Sequence, residues 1–351
     1  MRAITLIAGD GIGPEVTASA KAVVLASGAK VVFEEVIAGL RAEREYGTPL
    51  PRAVFDSIDS TKLVLKGPTQ TPFGGNYRVQ IERAEPAGRV GKRSYPSIAI
   101  ALRKELGLFV NVRPVRNYPG VATRFEHVDL LIFRENTEDL YAGIERMVDE
   151  GTAEAIKIIS VRGTERVTRF ALEYMRRLGR RRITIVHKAN VMKMTDGLFL
   201  KTAQDIAKAH PEFIADQRVV DALCMELVMR PEEYDCLLLP NLYGDIVSDL
   251  AAGLVGGLGM APGANIGPEC AMFEAVHGSA PDIAGKDAAN PAAMILSSVM
   301  LLRHIGETAT ADRIEAALTV VLREKRAVTR DLGGTAGTRA MTDAIIENLK
   351  K

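Results

Sequence analysis

Cysteine is scarce in this 351-residue chain, and the three that occur, Cys224, Cys236 and Cys270, stand far apart. They form no CxxC pair and have no His at zinc-finger spacing, so neither a disulfide framework nor a structural zinc site is supported, and a reducing compartment is expected. An excess of charge of either sign is also missing. Forty-five Lys+Arg stand against 44 Asp+Glu, a net +1 with pI about 7.7, whereas nucleic-acid-binding domains owe most of their affinity to a basic surplus that meets phosphates. No nucleic-acid partner is expected, and any handling of anions is local. The most apolar stretches, 236–239 and 294–302, fall far short of the roughly 20 residues that span a bilayer. The chain begins with one Arg and a short apolar run, 3–8, before Asp10, which does not read as a signal peptide. The expectation is a cytoplasmic protein with no membrane partner.

What is present is a globular balance, 47% hydrophobic and 25% charged, on a chain long enough for roughly two domains of about 150 residues. Short β-branched runs at 4–8, 30–37, 63–66, 130–134, 157–161, 183–187, 236–240 and 272–276 alternate with helical patterns at 14–27, 164–178 and 198–210. That is the rhythm of an α/β sheet, with Pro14 placed to open the first helix. Segments 71–96 and 255–269 are rich in Gly and Pro without periodicity and read as surface or cleft loops.

Several side chains are candidates for chemistry. Asp245 and Asp249 follow the strand at 236–240 at i and i+4, so they share one helix face and repel. A hard divalent cation, Mg²⁺ or Mn²⁺, would offset that repulsion; equally, Asp245 caps the helix and Asp249 is solvated. Arg103, Arg113, Arg116 and Arg134 carry planar forks that bind carboxylates bidentately, which suits a substrate with two or three of them. Arg176, Arg177 and Arg180 to Arg182 read as a solvated helix end. Lys188 directly follows a strand and is either a base in a cleft or a surface lysine. Tyr141 is either a proton donor or a core tyrosine, and His277 either touches a ligand or caps a loop. GDGIGPE at 9–15 follows a strand and opens a helix, but it is not GxGxxG.

Taken together, GDGIGPE, LKGP at 65–68, NVRPVR at 111–116, RENTEDLYAGIE at 134–145, HKANVMKMTDGLF at 187–199, NLYGDIVSDLAAGLVGGLG at 241–259, APGANIG at 261–267, HGSAPDIAGKDAANP at 277–291 and DLGG at 331–334 resemble the β-decarboxylating dehydrogenases. This is the isocitrate/3-isopropylmalate dehydrogenase family, and the resemblance covers essentially the whole chain. It implies an α/β fold that is not Rossmann, a two-domain α/β/α sandwich. Residues 1–107 plus 255–351 would form a large cofactor-binding domain, and 108–254 a small domain with the dimerisation, metal and catalytic residues. The family is a homodimer or higher homo-oligomer with shared active sites, so Lys188 and Asp221 would act across the interface.

The resemblance further implies Asp221, Asp245 and Asp249 as ligands of Mg²⁺ or Mn²⁺, Lys188 as base and Tyr141 as acid. Ser97, Arg103, Arg113 and Arg134 would bind a small 2-hydroxy tricarboxylate. NAD would meet Ile12, Thr71, His277, Gly278, Ala280, Asp282, Ile283 and Asn290. Asp282 suits NAD because a carboxylate accepts from a ribose 2′-hydroxyl but repels a 2′-phosphate, and Arg330 and Gly334 replace the Tyr and Arg of NADP-using relatives. The implied activity is NAD-dependent oxidative decarboxylation of isocitrate to 2-oxoglutarate and CO₂. Homoisocitrate and 3-isopropylmalate are the alternative substrates, because Ala99-Ile100 matches neither pattern fully. The 71–97 segment, with Arg78, Arg83, Arg89, Lys92 and Arg93, either holds a longer diacid or is a solvated insertion. In the other functional class the chain is a non-catalytic regulatory subunit.

Overall fold

A computed structural model describes residues 1–72, 77–84 and 90–350. Arg89 lies outside the described residues. The strands are β1 (Arg2–Ile7), β2 (Val31–Val36), β3 (Leu63–Lys66), β4 (Val79–Ala84), β5 (Val90–Tyr95), β6 (Val110–Arg116), β7 (Asp129–Glu135), β8 (Glu145–Asp149), β9 (Thr152–Ala155), β10 (Arg182–His187), β11 (Ile214–Val219), β12 (Cys236–Leu239), β13 (Pro262–Ile266) and β14 (Ala271–Ala275). The helices are α1 (Gly13–Ala26), α2 (Leu40–Tyr46), α3 (Arg52–Thr61), α4 (Ile98–Glu105), α5 (Val161–Leu178), α6 (Thr195–Lys208), α7 (Val220–Met229), α8 (Asn241–Leu254), α9 (Ala292–His304), α10 (Thr308–Glu324) and α11 (Thr338–Leu349). Ten strands form one sheet in the order β11-β10-β12-β7-β6-β13-β14-β3-β1-β2, and β4-β5 and β8-β9 are separate hairpins. Two parallel wings meet at an antiparallel centre, where β6 pairs with β7 and β13, and β13 with β14.

Strand alternation decides where chemistry can sit, because successive side chains point to opposite faces. On one face Leu6, Val112, Leu131, Phe133 and Phe273 join a continuous core under α1, α5, α6, α9, α10 and α11. The other face is covered in two separate patches. Met272 and Val64 pack with Val54, Phe55 and Ile58 of α3 and Ile98 and Leu102 of α4. Leu130 and Ile132 pack with Leu223 and Leu227 of α7 and Val247 and Ala251 of α8. Between the patches the same parity that buries Val64, Met272 and Ile132 presents Lys66, Glu274 and Arg134. Helices on both faces make the expected α/β/α sandwich, and the gap on one face makes the cleft.

The structure corrects the sequence reading in three places. Segment 157–161 is not a strand: only Ile158 forms a bridge, with Asp139, and α5 already begins at Val161, capped by the Ser160 hydroxyl, which accepts from Gly163 N at 3.0 Å. Segment 255–269 is not all loop, since β13 is a fully buried central strand. Its Pro262 occupies the first strand position, where a missing N–H is tolerated, and Pro and Gly masked the signal. Within 71–96, β4 and β5 form a hairpin whose Val79 and Ile81 are buried beside α3 and α4. Among the described residues no helix is long and apolar enough to cross a membrane.

Phe133 lies edge-on to Phe170 and Tyr174, at ring-centre distances of 6.4 and 5.7 Å. Phe133→Ala is expected to lower unfolding free energy by about 3–5 kcal/mol, read from denaturant midpoints.

Candidate active site

The cleft encloses about 270 Å³ and is lined by Ser97, Arg103, Arg113, Tyr141, Asp245 and His277, together with Lys66, Asn111 and Glu274. Its floor is one polar network crossing four neighbouring strands. Arg113 Nε donates to Asn111 Oδ1 at 2.6 Å, Asn111 Nδ2 to Asn265 Oδ1 at 3.0 Å, and Asn265 Nδ2 to Glu274 Oε1 at 2.9 Å. Lys66 Nζ then meets Glu274 Oε2 at 2.6 Å, and Arg103 Nη2 lies 3.5 Å from Oε1. Burial works to raise the Glu274 carboxyl, but the Lys66 ammonium and the Arg103 guanidinium outweigh it and hold it at about 2. Lys66 and Glu274 were given no role from the sequence, where their signal is a charge at or next to the end of an apolar strand, LVLK and AMFEA.

The second wall is built on α8. Arg134, fully buried, donates from Nη1 to Asp245 Oδ1 at 2.5 Å and from Nε to the Asn241 carbonyl at 2.9 Å. Arg113 lies 3.3 Å from Asp245 and 3.4 Å from Asp249, and it also donates to the Ser248 hydroxyl. Tyr141 stacks over the Arg134 guanidinium at 5.0 Å and donates its hydroxyl hydrogen to Asp245 Oδ2. Arg134 is therefore not at the cleft surface: it supports Tyr141 and Asp245 from behind. Gly244 permits this approach, since a Cβ there would fall 2.4 Å from Arg134 Cγ.

Electrostatics distinguish the two aspartates. Burial opposes the charge on Asp245, but Arg134 and Arg113 outweigh it and lower its carboxyl. Asp249, further from the cations, is raised by burial and by Asp245 in spite of Arg113. The pair offers only oxygen donors on one helix face, and Asp249 is the less compensated of the two, which fits a divalent cation. Two carboxylates do not complete a shell, and among the described residues no group of three His, Cys, Asp or Glu is gathered. Lys188 and Asp221 pair with each other at 2.5 Å, and neither lines the cleft.

At the other end, GDGIGPE is braced against the segment after His277. Ile12 N donates to Ser279 O at 2.8 Å, and Gly11, at φ +58°, has no room for a Cβ, which would lie 1.9 Å from that oxygen. Glu15 accepts from Gly285 N, and the Asp10 carboxylate accepts from Leu40 N and Gln70 N, each at 2.8 Å. His277 Nδ1 is 3.0 Å from Gly278 O, while its buried Nε2 has no partner among the described residues. Burial lowers the His277 imidazole, which favours the neutral form. An unpartnered neutral ring nitrogen on the cleft wall fits a polar cofactor, and exposed Asp282 stands on the same segment.

Other expected cofactor contacts are less direct. The Ile12 side chain lies in the core, and the buried Asn290 amide is taken up by Asp331 Oδ2 at 2.9 Å and Ala292 N at 2.9 Å. Thr71 is half-buried. The described arginines of the 71–97 segment find protein partners: Arg78 donates to Ser94 at 2.8 Å, Arg83 to Asp59 at 2.7 Å and Arg93 to Glu105 at 2.8 Å. Ser97 caps α4, accepting from Ile100 N at 3.2 Å, and retains its own hydrogen to donate.

Residues 3–348 match the family described as isocitrate/isopropylmalate dehydrogenase. The chain belongs to this family. It is 44% identical to isocitrate dehydrogenase [NAD] catalytic subunit 5, mitochondrial, of Arabidopsis thaliana, over 98% of this chain and 88% of that protein. It is 42% identical to a mitochondrial isocitrate dehydrogenase [NAD] regulatory subunit of Dictyostelium discoideum, over 99% of this chain and 91% of that one. The crystal structure of isocitrate dehydrogenase from Methylococcus capsulatus is similar over 100% of both chains, with TM-score 0.93 and 46% identity.

Two outcomes test this geometry. Glu274, held at about 2 against an ordinary 4.5, supplies roughly 3 kcal/mol of stability that is fully present above about pH 4.5 and lost as pH falls toward 2. Glu274→Gln should therefore be destabilised at neutral pH, with the gap from the parent closing over that range in acid-unfolding curves. Gly244→Ala should displace Arg134 and cut turnover by about tenfold or more, measured as kcat.

Proposed function

We propose that the chain is a catalytic NAD-dependent isocitrate dehydrogenase, converting isocitrate and NAD to 2-oxoglutarate, CO₂ and NADH with Mg²⁺ or Mn²⁺. The observation that carries this reading is the meeting, in one cleft, of two guanidinium clamps, a tyrosine hydroxyl and Asp245, with Asp249 one turn along the same helix face and 3.4 Å from Arg113. When bound, the divalent cation draws electron density from the substrate oxygen and NAD accepts the hydride. Arg103 and Arg113 hold the malate carboxylates, and the Ser97 hydroxyl donates to the third. Lys188 takes the hydroxyl proton. After CO₂ leaves, Tyr141 donates its proton to the enol carbon; burial, with Asp245 beside it, raises the phenol despite Arg134, so the proton stays on the oxygen until then.

Asp282 supports NAD over NADP, because it would repel a 2′-phosphate. The protein partners of Arg78, Arg83 and Arg93 favour the solvated-insertion reading and leave homoisocitrate as the second substrate and 3-isopropylmalate as the third. The assembly in this reading is a homodimer or a higher homo-oligomer. Lys188 and Asp221 then enter a neighbour's cleft, Asp221 as the third carboxylate. Support comes from the exposed Ile144, Met147, Val148 and Ile156 at the β8-β9 hairpin. Residues 1–107 plus 255–351 form the cofactor-binding domain and 108–254 the small domain, as the divided core on the cleft face suggests. Three free thiols support a reducing compartment, and the cytoplasm is the compartment of this reading; the two relatives named above are mitochondrial by name. Relatives of both kinds, catalytic and regulatory, are similar to this chain; retention of Tyr141, Lys188 and all three aspartates favours catalysis.

The test crosses isocitrate, homoisocitrate and 3-isopropylmalate with NAD and NADP in the presence of Mn²⁺. The highest kcat/KM is expected for isocitrate with NAD; preference for another acid overturns the substrate, and no turnover with any pair overturns catalysis. Asp245→Asn is expected to abolish cation-dependent turnover with the circular dichroism spectrum unchanged.

A further inference from the structure

Behind the cleft wall, three charged side chains take no part in the chemistry above. The Lys157 side chain is 11% exposed, and its ammonium lies 2.6 Å from Asp196 Oδ1 and 3.6 Å from Asp139 Oδ1, both carboxylates being fully buried. The same ammonium sits 4.4 Å from the centre of the Tyr243 ring in α8. Well-packed apolar residues commonly serve stability as well as a buried ionic cluster does. These charges therefore call for another reason, and their remaining oxygens supply one.

Each carboxylate holds the backbone of a segment that carries a reactive group. Asp139 Oδ1 accepts from Leu140 N at 2.9 Å, opening the short turn Leu140–Ala142 that presents Tyr141. Asp139 Oδ2 accepts from Leu242 N at 2.9 Å, in the first turn of α8, three residues before Asp245. Asp196 Oδ2 accepts from the backbone N–H of Lys188 at 2.6 Å. Asp139 also adopts φ +69° and ψ −152°, a region in which only glycine is at ease. Such a conformation persists where its surroundings over-determine it, and here the two carboxylate bonds, the Asp139 N–H donated to Ile158 O at 2.7 Å and Lys157 do so.

We propose that Asp139, Lys157 and Asp196 form a buried positioning bridge that fixes the Tyr141 turn, the start of α8 and Lys188 relative to one another. The proposal rests on the roles given above to Tyr141 and Lys188. None of the three bridge residues touches substrate; they act through the backbone N–H groups they hold. Because Lys188 serves a neighbouring copy, the bridge ties the acid of one cleft to the base of the next.

The test uses Asp139→Gly in the oligomer, a change that relaxes the strained backbone, leaves Lys157 paired with Asp196 and removes the side chain that holds Leu140 N and Leu242 N. Lys157→Met, Tyr141→Phe and Lys188→Met are measured beside it. Asp139→Gly should lower kcat by about tenfold or more, leave KM for isocitrate within about threefold, and melt at or above the parent temperature; Lys157→Met should show the same split between kcat and KM. A kcat within about twofold of the parent in Asp139→Gly, or a joint decline of kcat, substrate affinity and melting temperature, would overturn the bridge. If Tyr141→Phe or Lys188→Met retains turnover, the acid and base assignments fail and the bridge falls with them. If both lose it and Asp139→Gly does not, the bridge alone fails.

Discussion

The contact between Arg134 and Asp245 is the interaction on which the cleft depends. Arg134 is fully buried, and an isolated guanidinium there would be costly by several kcal/mol, so a carboxylate must reach it. Asp245 does so because Gly244 lets α8 settle on the arginine stem, and the same carboxylate then fixes the Tyr141 hydroxyl and leans toward Arg113. One aspartate thereby sets the distances among an acid, a carboxylate clamp and the second aspartate of the pair. Buried ion pairs seldom raise stability over apolar replacements; what this one provides is placement.

Much of this was legible in sequence. The alternation of short apolar strands and amphipathic helices gave the sheet class, and β1, β3, β7, β10, β12 and β14 fall where the β-branched runs stand. The i, i+4 aspartates do meet Arg113 of NVRPVR and Arg134 of RENTEDLYAGIE, whereas Arg116 turns away to Glu315 and Tyr118. Less visible was anything that depends on contacts distant in the chain. Lys66 and Glu274 are 208 residues apart and become a pair only when β3 and β14 lie in register. β13 was hidden because Pro262 and Gly263 carry turn chemistry, whereas the central sheet accepts them at a strand start beside a polar Asn265.

Arg134 illustrates a subtler limit. Its residue type and strand-end position suggested a direct substrate clamp, yet the structure places it beneath the Tyr141 ring. A sequence conveys which face a strand residue takes, but not how far a helix on that face will cover it. Lys188 and Asp221 show the opposite case. The family resemblance assigns them to a partner's cleft; in the folded chain they pair with each other and do not line this cleft. In the proposed reading the cleft supplies the clamps, the acid and Asp245, with Asp249 one turn further along α8, while Lys188 and Asp221 come from a neighbour.

That division is the centre of the account, and hybrid oligomers test it most directly. A chain carrying Tyr141→Phe and a chain carrying Lys188→Met, each inactive alone, are mixed, dissociated and reassembled, and isocitrate-dependent NADH formation is measured. The account predicts that activity returns, because some clefts then combine an intact Tyr141 with the neighbour's intact Lys188. Reassembled hybrids that remain as inactive as their parents would contradict it.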